Sequence, residues 1–164
     1  MTSNIALPVL TRASLHIARR LPELYLTGIR WAINYIYANG DDHLKNFSLI
    51  LRGQDYRLAP AYDLLNTSLH VRGDDFGLDG GLAPNISISG AYANTGHPGR
   101  LDFEHFGERI GLVKYRMGRI LDKYMQLPET AAKLVGRSFL NDKMKRSYLR
   151  IVKERIARFT RESD

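Results

Sequence analysis

Ala38-Asn39-Gly40-Asp41-Asp42-His43-Leu44-Lys45-Asn46-Phe47-Ser48 is the stretch that decides how this chain is read. It crowds acid, amide, imidazole and amine side chains between two apolar segments. Upstream, Leu24, Leu26, Ile29, Trp31, Ile33, Ile36 and Tyr37 cover most of a helical circumference, which predicts a buried helix over Glu23 to Asn39. Asn39-Gly40 is a pair that tolerates the left-handed conformation and ends such a helix. Downstream, Phe47 to Leu51 and Tyr56 to Ala59 flank Arg52-Gly53-Gln54-Asp55, which predicts a β-hairpin over 47–59. A hairpin returns the chain to its start. Leu58-Ala59-Pro60-Ala61-Tyr62-Asp63-Leu64-Leu65 is therefore expected beside the loop, with Asp63 close to Asn46.

Asp41 and Asn46 stand as D-x-x-x-x-N, the spacing of protein-kinase catalytic loops. The chemistry behind that spacing is a shared target: the aspartate accepts a proton from an attacking hydroxyl, while the asparagine oxygen holds magnesium on the phosphates. Lys45 is placed to neutralise a transferring phosphoryl group. An acidic oxygen from Asp63 beside the Asn46 amide oxygen is a ligand pair that a partly hydrated magnesium ion accepts. The competing reading of Asp63 is a turn or helix-capping aspartate. A literal Asp75-Phe76-Gly77 also occurs, but it lies far beyond Asn46 in a glycine-rich stretch, so Asp63 is preferred as the metal ligand.

The loop 38–48 followed by 58–65 resembles the HipA family of serine/threonine kinases, many of which are bacterial toxins. The likeness continues more weakly through Asp102-Phe103-Glu104-His105-Phe106-Gly107, Ser138-Phe139-Leu140 and Met144-Lys145. It implies a mainly α fold with a small β-hairpin, similar to the helical large lobe of protein kinases. It also implies that Asp41 is the catalytic base, that Asn46 and Asp63 bind magnesium, and that His43 and Lys45 shape the loop. ATP and magnesium are the implied cofactors. A protein substrate and a DNA-binding antitoxin are the implied partners. One part of the kinase pattern is missing: no lysine precedes Lys45, and the first 40 residues hold no G-x-G-x-x-G. Phosphate clamping from the small-lobe side must therefore come from a further segment or chain. The alternative is a non-catalytic module of the same family that binds an antitoxin, another protein or nucleic acid.

The remaining chain is read as one domain over 1–164. Leu10, Leu15, Ile17 and Leu21 predict a short helix ended by Pro22. Glycines and prolines mark 70–100 as a loop-rich insertion, with a short strand at Asn85 to Ser89. Helices are expected over Phe103 to Gly111, Lys114 to Met125, Glu129 to Leu140 and Asp142 to Arg161. The last carries Lys143, Lys145, Arg146, Arg150, Lys153, Arg155, Arg158 and Arg161, read as a solvated face in preference to a nucleic-acid contact.

Composition narrows the classes. Hydrophobic residues at 44% and charged residues at 25% describe a globular chain, and the absence of cysteine removes disulfides, thiolate metal sites and cysteine nucleophiles. No apolar run reaches membrane-spanning length, and arginines interrupt the N-terminal segment, so a cytoplasmic protein with no membrane partner is expected. The net charge of +7 suits polyanionic partners without choosing among them.

Overall fold

A computed structural model describes residues 21–42, 46–71, 88–126 and 129–160. Among them the chain is mainly α with a small antiparallel hairpin, as expected. Helix α1 spans Leu21–Ile36. Pro22, expected to end an earlier helix, lies in the first turn of α1, where its missing N–H costs nothing. The helix also stops before Asn39: Ala38 takes a φ of +59°, and the Asn39 amide bonds the Asn34 carbonyl. Burial continues past the helix through Ala38 and Asn39, whereas Leu26, expected on the buried surface, is exposed. The expected helix over 10–21 lies outside the described residues, apart from Leu21.

Strands β1 (Leu49–Arg52) and β2 (Asp55–Leu58) pair with Leu49 opposite Leu58 and Arg52 opposite Asp55. Gly53, at a φ of +64°, makes the two-residue connection that favours a left-handed first position. The Ala59 amide donates to the Ser48 carbonyl at 2.8 Å, extending the pairing by one step toward the loop. A 3-10 turn, Thr67–Leu69, follows.

Helix α2 (Gly90–Thr95) was not foreseen inside the loop-rich segment. Ser89 starts it by accepting the Tyr92 amide, and Gly96 ends it at a φ of +71°. The expected strand at 85–89 falls mostly outside the described residues, and Ser89 serves as a helix cap. Helices α3 (Arg100–Arg109), α4 (Lys114–Tyr124), α5 (Glu129–Arg137) and α6 (Asp142–Thr160) complete the domain. Helix α3 begins earlier than its apolar pattern suggests, because the Asp102 carboxylate accepts the Gly99 amide at 2.9 Å and caps the first turn.

The core lies where α4 packs on α1 and α3, with α6 closing one side. Trp31, Tyr35, Ile36, Phe103, Phe106, Met117, Ile120, Leu121, Val152 and Phe159 form it. Tyr35, Phe103 and Phe159 meet with ring centroids 5.2–5.5 Å apart. Gly107 sets the approach of α3 to α4: a Cβ there would lie 2.8 Å from the Met117 Cβ. The basic helix is not uniformly solvated. Arg155 is buried, donates to the Tyr35 carbonyl at 2.9 Å and lies 5.0 Å from the Tyr35 ring centroid. Its guanidinium shares the Tyr35 carbonyl with the Ala38 amide, 3.1 Å away, and stacks over the ring, which offsets the cost of its burial.

Candidate functional site

The site forms where α1 ends. The left-handed Ala38 turns the chain out of the helix, and its carbonyl accepts the Thr67 amide at 3.1 Å. The Thr67 hydroxyl in turn accepts the Gly40 amide at 2.7 Å. The 3-10 turn thus braces the loop from the far side of the hairpin.

Asn39 is buried at the centre of this arrangement. Its Nδ2 donates to the Asp63 carbonyl at 3.0 Å and to Asn34 Oδ1 at 3.4 Å, and its Oδ1 accepts the Asp41 amide at 3.3 Å. One side chain therefore binds the backbone at both Asp41 and Asp63. Asn46 Nδ2 donates to the Asp41 carbonyl at 2.7 Å. Only the amide nitrogen can donate to a carbonyl, so this bond fixes the rotamer and leaves Oδ1 as the acceptor. Asp63 is exposed and adopts a φ of +55°, a left-handed conformation that an aspartate tolerates better than most residues.

Asp41 and Asp42 differ sharply. Asp41 is half-buried, whereas Asp42 is 2% exposed. Burial pushes the Asp42 carboxyl up to about 7, opposed by a hydrogen bond from Asn34 and the charge of Arg30, and reinforced by Asp41. Its Oδ2 has no hydrogen-bond partner. Arg30 also donates through Nη2 to the Ala59 carbonyl, linking α1 to the hairpin exit. Among the described residues, Asp41 is the member of the pair with the greater access to solvent.

The structure thus places Asp41, Asn46 and the Asp63 segment around the Asn39 side chain. His43 and Lys45 lie outside the described residues, as does Asp75-Phe76-Gly77. The oxygen donors of Asn46, Asp63 and Asp41 suit a hard, partly hydrated cation such as magnesium, which takes one or two carboxylates alongside phosphate oxygens. The sequence marks Asn39 as a helix-ending residue in the polar loop, not as a member of the site. Its signal was slight: a helix-ending asparagine reads as a C-cap before it reads as a tie across the site.

Residues 10–132 match the family model described as the HipA-like C-terminal domain. The chain belongs to that family. No curated protein matches it. Among the described residues, no helix is long and apolar enough to cross a membrane.

Proposed function

We propose that this chain is the large-lobe portion of a HipA-like serine/threonine protein kinase, transferring the terminal phosphoryl group of ATP to a protein hydroxyl. The observation that carries this reading is the Asn39 tie. It binds the backbone at Asp41 and Asp63 at once, while Asn46 is oriented by the Asp41 carbonyl. Backbone bonds that link the Asp41, Asn46 and Asp63 segments support this reading, since phosphoryl transfer depends on positioning.

In this mechanism Asp41 accepts the proton of the attacking serine or threonine hydroxyl. The Asn46 amide oxygen and the Asp63 carboxylate would hold magnesium, which would supply charge neutralisation for the phosphates. Lys45 and His43 contribute from the same loop, Lys45 by countering charge on the transferring group. A small-lobe segment or a second chain clamps the phosphates from the other side. A DNA-binding antitoxin is the proposed regulatory partner, and the cytoplasm the proposed compartment.

The test is magnesium-dependent nucleotide binding and phosphorylation, measured with a small lobe supplied in cis or in trans. Asp41→Asn is expected to abolish phosphorylation while nucleotide binding persists, because it removes the proton acceptor and keeps the shape. Asp63→Asn is expected to weaken magnesium-dependent binding. Nucleotide binding that ignores magnesium and both substitutions would point instead to the non-catalytic module.

A further inference from the structure

Asn39 holds Asp63 by its carbonyl, at 3.0 Å, on the flank that leads away from the hairpin. Asp63 has a φ of +55°. A left-handed residue other than glycine persists where its surroundings hold it on both sides, so the flank leading out of the hairpin needs a hold of its own. The backbone ladder reaches Ala59, whose amide donates to the Ser48 carbonyl, and Pro60 has no amide with which to carry it on. Side chains take over there. The Ser48 and Tyr62 hydroxyls lie 2.6 Å apart and share a hydrogen bond. Ser48 stands two residues beyond Asn46, and Tyr62 directly precedes Asp63. We propose that Ser48 and Tyr62 are positioning residues whose hydroxyl pair sets the separation of the Asn46 amide oxygen and the Asp63 carboxylate. The inference rests on the reading of those two groups as magnesium ligands.

Ligand separation matters more to magnesium than to larger ions. Magnesium demands a near-ideal octahedron with oxygens at ~2.0–2.1 Å, whereas calcium accepts flexible shells at ~2.3–2.6 Å. Two oxygens whose spacing drifts therefore lose magnesium before they lose calcium. The pair also lies where stability asks little of it, since Ser48 is half-buried and Tyr62 exposed. Water can replace either hydroxyl without opening the core. It cannot replace the link, because a water molecule joins neither the Asn46 segment nor the Asp63 segment to anything. Loss of the pair thus frees the spacing and keeps the fold. A neutral hydrogen bond of this kind shifts an equilibrium by about two- to tenfold.

Magnesium chloride and calcium chloride, titrated separately into the 164-residue chain, are the probes. Binding is followed by nuclear magnetic resonance at the Asn46 side-chain amide and the Asp63 backbone amide. Tyr62→Phe is expected to raise the magnesium concentration at half-saturation about three- to tenfold, and that of calcium less than about twofold. Ser48→Ala is expected to do the same. The double variant should lose no more than either single one, because the same bond is removed each time. Ser48→Thr keeps a hydroxyl and should stay within about twofold of the wild type. Equal losses for both ions with a lowered thermal midpoint, additive losses in the double variant, or failure of Ser48→Thr to restore binding would overturn the positioning role. A magnesium response that Asp63→Asn abolishes and Tyr62→Phe leaves unchanged would overturn it while the ligand assignment stands. Absence of a saturable response in the wild type, or one that Asp63→Asn does not alter, would overturn the ligand assignment and the proposal with it.

Discussion

Asp41 and Asp42 are chemically identical neighbours, and their surroundings make them different groups. Asp42 is enclosed against Asn34 and Arg30, and burial raises its carboxyl to about 7. A carboxyl whose folded value lies above its unfolded one binds more protons in the native state. Its contribution to stability is therefore full below the unfolded value near ~4 and is lost as pH rises through about 7. Asp42→Asn removes that dependence by fixing the neutral form. The expected outcome is that the wild-type thermal midpoint falls between pH 5 and pH 8 more steeply than that of Asp42→Asn, with the two converging at the acid end. A parallel pair of curves would show that Asp42 is not held in this way. Asn39 offers a second residue-scale prediction. Asn39→Ala strips partners from the backbone at both Asp41 and Asp63, and a buried polar group left unpaired costs about 1–3 kcal/mol. A denaturant midpoint shifted by that order is expected, together with loss of the proposed magnesium-dependent nucleotide binding when a small lobe is supplied.

At the scale of elements, the approach of α3 to α4 depends on the missing side chain at Gly107. A methyl group there would sit 2.8 Å from the Met117 Cβ and 2.9 Å from its Cγ. Both atoms lie near the backbone, so they yield only by moving the helix. Gly107→Ala is expected to destabilise the domain by about 1–3 kcal/mol despite the better helix propensity of alanine. Chemical denaturation checks this, and a neutral or stabilising result would mean that α4 shifts freely. The hairpin is the opposite kind of element. It leaves Leu49 and Leu51 largely exposed, and its role is to return the chain from Ser48 to Ala59. Its value to the site is therefore positional, and apolar-to-polar changes at Leu51 are expected to be tolerated without loss of stability.

For the whole molecule, the prediction is that a polypeptide of these 164 residues alone transfers no phosphate. On the proposed reading, Asp41, Asn46 and Asp63 would supply one side of a phosphate clamp, and the chemistry requires both. A half-site open to water also screens its own charges: attraction between unit charges at ~4 Å falls from ~4 to ~1 kcal/mol as the effective dielectric rises from 20 to 80. Leu51, Leu64, Leu65 and Val71, all more than half exposed, add apolar surface around the hairpin and the Asp63 segment. Concentration-dependent self-association in sedimentation is expected, and it should diminish when a small lobe is supplied. Sustained Asp41-dependent phosphorylation by the isolated polypeptide would refute this prediction.

The residue pattern by itself determined the family, the order of helices α1 and α3 to α6, and the hairpin that folds Asp63 back toward the loop. These are local matters: helical periodicity, turn chemistry and a short, dense motif are all written within a few residues of one another. Tertiary structure alone decided which of two adjacent aspartates is enclosed, that Asn39 ties Asp41 to Asp63, and that Arg155 enters the core from a helix that reads as uniformly basic. It also decided that Ser89, from a segment read as a strand, caps a helix and hands its amide and hydroxyl to Asp102. The Asn39, Ser89 and Arg155 contacts reach partners from 13 to 120 residues away. Burial and hydrogen-bond satisfaction are set by whatever arrives from elsewhere in the chain, and no local pattern carries that information.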